Sequence, residues 1–325
     1  MCTSTSARVK LSSVQHVHIS GVSLIGCGEN TLSVNGDTVE IRNTFFYQNT
    51  LNRVESVNTL IVEDSVFDRG SSAGLYLRTI MNSATIQRRV FSNNGRSGIT
   101  AESADLEINE STFFRNTGHE GGCIRALQSS TVTISVSNSN FTECRSVGGL
   151  HGGAMYGERV SFIITGTNFT GNSGYGGGGV AGRYSSFSIT SQSNFIGNTE
   201  SDKGGAVRGI LGTTFFMVAD SNFILNVASE LDSGGGIDID FLNSVVCCNC
   251  IDNRAGYGGG LNANLQSVTI SHSNFINNTA RYAGGGVYLN SRSTNNVSVS
   301  AATGSAFINN IYCIPGTWRR CLHIF

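Results

Sequence analysis

Proline occurs once in 325 residues, tryptophan once, and lysine only at Lys10 and Lys203. Charged residues make up 13% of the chain, and the net charge is −1. Each scarcity removes a class of protein. A disordered tail would be rich in Pro, Lys and Glu. A binder of nucleic acid or anionic membrane needs a clustered basic face, and the arginines here are scattered. Collagen is excluded because the 41 Gly follow no period of three and Pro is nearly missing. No run approaches the ~18 apolar residues that span a bilayer, so direct membrane insertion is not expected. The start, Met1 to Lys10, is polar and lacks a charged-then-apolar leader, which taken alone reads as a cytosolic chain. Helix-period patterns are absent too.

What is abundant is repetition. The strings VEIRNTFFYQN, LEINESTFFRN and VTISHSNFINN share a β-prone run, Ser/Thr-Asn or its equivalent, Phe, and Asn three residues later. The Phe positions are Phe46, Phe67, Phe91, Phe113, Phe141, Phe169, Phe195, Phe223, Phe275 and Phe307, with Leu24 and Cys250 in the same place elsewhere. The Asn positions are Asn49, Asn94, Asn116, Asn172, Asn198, Asn226, Asn253, Asn278 and Asn310, interrupted by Cys27, Gly70 and Cys144. After a variable loop comes a second motif, as in GGCIRA, GGAMYG, GGAVRG and GGVYLN. Behind Gly-Gly, apolar and other residues alternate with period two, the pattern of a strand with one buried face.

Strand, loop, strand and turn, recurring every 21–32 residues, describe one coil of a parallel β-solenoid. A single coil cannot bury its inward side chains, whereas coils stacked about 4.8 Å apart pair every strand with a neighbour. Equivalent residues then form columns: Phe on Phe inside, and Asn bonded to the Asn above and below. Gly-Gly suits a corner where φ is positive or the backbone comes too close for a Cβ. Pro would delete a ladder hydrogen bond in almost any coil, which accounts for its scarcity. The expected fold is all-β, a parallel β-helix of about twelve coils and on the order of 55 Å long. The expected organisation is a lead-in over residues 1–13, repeats over 14–310, and an irregular tail or truncated continuation over 311–325.

Phe-x-x-Asn paired with Gly-Gly-Ala-Ile-like strings resembles the repeats of chlamydial polymorphic outer-membrane proteins. It is also similar to β-helix regions in large surface proteins of simple animals and some protists. The resemblance covers roughly residues 14–310 and implies right-handed coiling. It also implies an extracellular or surface-exposed adhesive region of a larger protein, with glycans or other surface proteins as partners.

Chemistry is sparse. Outward positions after Gly-Gly read Tyr76, Thr100, Arg125, Tyr156, Ala181, Arg208, Asp238, Asn262 and Tyr288. Two residues further on they read Arg78, Glu102, Leu127, Glu158, Arg183, Ile210, Asp240, Asn264 and Asn290. Asp238 and Asp240 are the best catalytic-looking pair, because both carboxylates would share a strand face. Asp232 or Asp252 beside them would make an oxygen-rich Ca²⁺ site. Against this, Arg208 stands one coil from Asp238, so ordinary cross-strand pairing is the stronger expectation. The polysaccharide-cleaving alternative, a lyase or hydrolase, uses this face; a carbohydrate-binding variant uses Tyr156 and Tyr288 as stacking platforms. No cofactor or metal is expected. His16, His18, His119 and His151 have no ligand spacing and read as solvated. Among nine Cys, buried thiols at repeat positions are expected, with Cys123–Cys144 or Cys313–Cys321 as disulfides if the compartment is oxidising. Five Asn-x-Ser/Thr sequons, at Asn109, Asn140, Asn168, Asn277 and Asn296, are no more than this composition produces by chance.

Overall fold

The computed structural model describes residues 9–27, 31–148, 151–212, 215–239, 244–246, 248–264, 267–290, 298–300, 304–313 and 321–323. Over these residues the chain winds into a parallel β-solenoid. A 12-stranded sheet holds the short Phe-centred strands, one per coil, from Ser23–Ile25 to Ala306–Ile308. A 17-stranded sheet holds the strands that precede them. In the first seven coils these are single strands such as Asn52–Glu63 and Ile99–Asn109, with a register shift part-way along. From the eighth coil they separate, as in Val180–Arg183 and Ser186–Thr190. Neighbouring coils pair in parallel. Cys321–His323 instead folds back antiparallel on Ile311–Cys313, setting Cys313 opposite Cys321.

The Phe column is buried, at 0–1% exposure from Phe46 to Phe275. Ring centroids lie 4.5 to 5.0 Å apart, with planes within 3–8° of parallel. Nearly parallel rings at that separation are offset rather than face to face, the arrangement the ring quadrupole favours. Cys250 takes the Phe place between Phe223 and Phe275 and is fully buried.

The Asn column is a polar counterpart. Asn198 Nδ2 donates to Asn226 Oδ1 at 3.0 Å and to the Phe169 carbonyl at 2.9 Å, while the Asn198 backbone N–H donates to the same Asn226 oxygen. This pattern is unbroken through Asn172, Asn198, Asn226, Asn253, Asn278 and Asn310. At the interruptions the backbone keeps its bond: Cys27, Gly70 and Cys144 each donate N–H to the next Asn oxygen. What is lost there is the side-chain amide, both its donor and the oxygen that elsewhere accepts from the Asn one coil earlier.

Two further columns were hidden in the same strings. Just before the Phe strand, Ser or Thr hydroxyls accept backbone N–H groups from the preceding coil, as in Ser111 N–H to Ser139 Oγ and Cys248 N–H to Ser273 Oγ. Arg89 stands in this column. It is 1% exposed, Nη1 donates to the Arg88 carbonyl, Nε and Nη2 have no partner, and burial pushes its pKa down to about 9. Outside, Asn140, Asn168, Asn194, Asn222, Asn249 and Asn274 form a second amide ladder at 2.7–2.9 Å. Two sequons are thereby placed: Asn168 Nδ2, where a glycan would attach, donates to Asn140 Oδ1.

Interior volume is conserved across two facing columns. Successive coils pair Leu77 with Ala84, Ala101 with Leu106 and Ala126 with Ile134, then Gly157 with Phe162, Gly182 with Phe187 and Gly209 with Phe216. Where the ring is largest the partner is Gly, since a Cβ on Gly182 would sit 2.6 Å from Phe187 Cζ. The Gly-Gly corner uses each Gly differently. Gly152 has φ +70, and a Cβ on Gly153 would lie 2.0 Å from the Gly178 carbonyl oxygen.

Candidate functional site

The segment between the Asn column and Gly-Gly, read from sequence as a variable loop, carries strands of its own. Thr117–Gly118, Arg145–Ser146, Ser173–Gly176 and Thr199–Lys203 form one small parallel sheet, and Arg254–Tyr257 with Thr279–Ala283 begin another. These strands cross the face expected to be an open groove. The register does align Tyr76, Thr100, Arg125, Tyr156, Ala181, Arg208, Asp238, Asn262 and Tyr288 in one column. From Tyr156 to Asn262, however, that column is largely covered: Tyr156, Ala181, Asp238 and Asn262 are all buried. Lys203 ends one of the covering strands.

Asp238 is 7% exposed and held within its column. Asn262 Nδ2, one coil on, donates to Asp238 Oδ1 at 2.5 Å, and Arg208 Nε, one coil back, lies 4.0 Å from Oδ2. Arg208 Nη1 also donates to Asp202 Oδ2 at 2.7 Å, tying the column to the strand that covers it. Asp240 lies outside the described residues. Asp252 sits on a left-handed corner (φ 55) after Ile251, and Asp232 uses its backbone carbonyl to accept the Gly256 and Tyr257 N–H groups. Among the described residues, no three His, Cys, Asp or Glu side chains come together as metal ligands.

His151, read as solvated, is half-buried instead. Burial, followed by the nearby Arg208 charge, pushes its pKa down to about 4, and Nδ1 has no partner. Its ring lies 6.1 Å from Tyr156 and 6.3 Å from Tyr175. Burial also raises the Tyr156 hydroxyl to about 12. Gly176 makes room for the cluster, because a Cβ there would meet Arg208 Nη1 at 2.2 Å and His151 Nδ1 at 2.7 Å.

Beside this cluster, the small sheet has a groove of about 430 Å³ that sequence reasoning missed. Arg145, Ser173, Tyr175, Thr199, Glu200 and Ser201 are among the residues that line it. Glu200 is 8% exposed. Burial pushes its carboxyl up to about 9, so it carries its proton at neutral pH. Oε2 accepts the Asp202 backbone N–H, and Oε1 has no partner. The groove starts one residue after a disulfide: Cys123 and Cys144 are bonded, with Cα atoms 5.6 Å apart. Of the two pairings open in the sequence this one is formed; the side chains of Cys313 and Cys321 lie outside the described residues. Cys27 is disulfide-bonded as well. Cys248 and Cys250 are buried, and Cys247 lies outside the described residues.

Comparison with curated proteins and with solved structures gave no match. Residues 2–154 match a family model described as a right handed beta helix region. The match supports a β-helix repeat family and assigns the hand of the coil, so the chain is a right-handed parallel β-helix.

Proposed function

We propose that this chain is the non-catalytic rod of a secreted or surface-exposed protein, serving adhesion or display. The observation that carries the proposal is the environment of Asp238. The carboxylate best suited to catalysis is spent on Asn262 and Arg208 in its own column, under a covering strand. A carboxylate so held is a rung between coils. The Cys123–Cys144 disulfide supports an oxidising compartment, which agrees with an extracellular location.

The competing reading is a polysaccharide lyase or glycoside hydrolase, since the fold also suits carbohydrate-active enzymes. Incubation with plant, algal and animal polysaccharides, with and without Ca²⁺, separates the two. No product is expected. Cleavage that disappears in Asp238→Ala would end the rod reading. Location is tested by thiol labelling of Cys123 and Cys144 in protein isolated without reductant from its native source; no labelling is expected.

A further inference from the structure

Directly after the Phe strand each coil turns a corner on one left-handed residue. Gln48, Arg115, Glu143, Leu225 and Asn277 hold that place in different coils, at φ 52–56, and all are exposed. A position that accepts a cation, an anion, an amide and an aliphatic chain alike carries no packing, so its side chain is free to take on mass. Asn277 also opens one of the Asn-x-Ser/Thr strings, Asn277-Asn278-Thr279. The structure separates the four such strings that begin among the described residues. Asn168 Nδ2 donates to Asn140 Oδ1 at 2.9 Å, and Asn168 Oδ1 accepts from Asn194 at 2.8 Å, so both amides belong to the outer ladder. Asn109 Oδ1 accepts from Ser137 Oγ at 2.9 Å and from Asn138 Nδ2 at 3.3 Å. The hydroxyl residue of that string, Ser111, is buried in the Ser/Thr column. At Asn277 only the backbone N–H is engaged, with the Ile308 carbonyl at 2.9 Å, and the side chain makes no hydrogen bond among the described residues. Asn296 lies outside them.

We propose that Asn277 is the N-linked glycan acceptor of this rod. The donor is a lipid-diphosphate-linked oligosaccharide, and the catalyst is the oligosaccharyltransferase of a secretory route. Asn277 Nδ2 attacks the anomeric carbon of the first sugar. The N–C bond forms as the bond from that carbon to the phosphate oxygen breaks, the lipid diphosphate leaves with the electron pair, and Nδ2 gives up one proton. A glycan attached to the entering chain must then be housed by the finished coil. The inner ladder holds the next residue, Asn278, from both sides, through Asn253 and Asn310, and fixes the backbone at the corner without using the Asn277 amide. At Asn140 or Asn168 the sugar would instead stand on an amide that is already a rung. The assignment deepens the surface reading, on which it rests, by giving the exposed face a specific modification.

The test is secretion of the whole chain from eukaryotic cells behind a cleavable leader, followed by glycopeptide mapping before and after enzymatic glycan release. The Asn277 peptide should carry glycan mass, lose it on release, and lose it altogether in Thr279→Ala. Gly197→Asn builds the same string ahead of Asn198 and Thr199, at the same corner three coils earlier, where a Cβ meets nothing within 4 Å. That variant should gain a second glycan. Asn277→Gln should leave the unfolding temperature of the deglycosylated chain unchanged, since Gln48 already stands at this corner. The inference is overturned if the secreted chain is bare at Asn277, or if Asn109, Asn140 or Asn168 is occupied to the same extent. It is equally overturned if Gly197→Asn is secreted without a second glycan, or if Asn277→Gln lowers the unfolding temperature. Location is decided separately on protein from its native source. Labelled Cys123 and Cys144 there would end the surface reading, while a glycan on the secreted chain would still establish the corner as the acceptor.

Discussion

Coils 1–5 and coils 6–11 share one interior and are held together differently outside. Inside, both stack the Phe-place column and the aliphatic columns. Outside, the position before the Phe place reads Ser23, Phe45, Val66, Val90 and Thr112 in the first region, and Asn140 through Asn274 in the second. Ion pairs occur in both regions, as Arg42 with Glu63 and Arg88 with Asp64 in the first and Arg125 with Glu120 and Arg254 with Glu230 in the second, while the Asn column is broken at Cys27 and Gly70 in the first and at Cys144 in the second. Parallel stacking fixes what lies beneath a residue, and two chemistries then meet the same requirement. Amides do so with one residue type, each both donor and acceptor. Charges need complementary partners in register.

The largest expected effect tests the shared interior. Phe67→Ala and Phe169→Ala should each cost about 3–5 kcal/mol, measured by denaturant unfolding. A clear inequality would show that the two regions differ inside as well.

Next come the Asn columns. Asn198→Ala strands two donors of Asn172, its backbone N–H and its Nδ2, for about 2–5 kcal/mol. Asn49→Ala strands one donor, the Cys27 N–H, for about 1–3 kcal/mol. Equal costs would remove the distinction between broken and unbroken ladders.

Arg89→Ser sharpens the comparison in the opposite direction. It restores a hydroxyl to the Ser/Thr column and removes a buried, incompletely partnered cation, so unfolding should become harder by about 1–4 kcal/mol. A loss of stability would mean that the guanidinium supports its coil.

Acid and base should act on the second region through different residues. His151 titrates near 4 in the folded chain against an ordinary 6.5. The unfolded chain therefore takes up this proton first, and stability falls as pH drops from 6.5 towards 4. Glu200 titrates near 9 against an ordinary 4.5, so the folded chain keeps a proton that the unfolded chain has released. Stability then falls as pH rises from 4.5 towards 9. His151→Asn should flatten the first limb and Glu200→Gln the second, read from unfolding temperature against pH.

The smallest effect is that of salt. Exposed pairs such as Arg88–Asp64 and Arg254–Glu230 contribute about 0–1 kcal/mol each, so added salt should speed hydrogen exchange only modestly, and in both regions alike.

How much of this was legible in the sequence follows from the period. Phe46, Asn49 and their equivalents occur once per coil at a fixed offset, so a column appears as a recurring string. The outer Asn ladder is written in those same strings, one residue before Phe, but nothing in a string says whether a side chain meets its copy. The exchange of Ala126–Ile134 for Gly157–Phe162 spans a bulge, and only the register aligns the two columns. The covering strands were not legible because they are two to five residues long, carry Gly, and sit in the part of the repeat whose length varies. Glu200 was missed for that reason. It is conspicuous only beside Ala228 and Ala255, and their alignment depends on counting through a loop of changing length.

The inner Asn ladder has a direction. Each side-chain nitrogen points to the amide oxygen of the following coil, from Asn172 to Asn310. A coil can therefore be added or removed whole, since both faces it presents already fit, but it cannot be inverted. The length of such a molecule changes only in steps of about 4.8 Å, one turn at a time. The distance it spans is set by a count of turns.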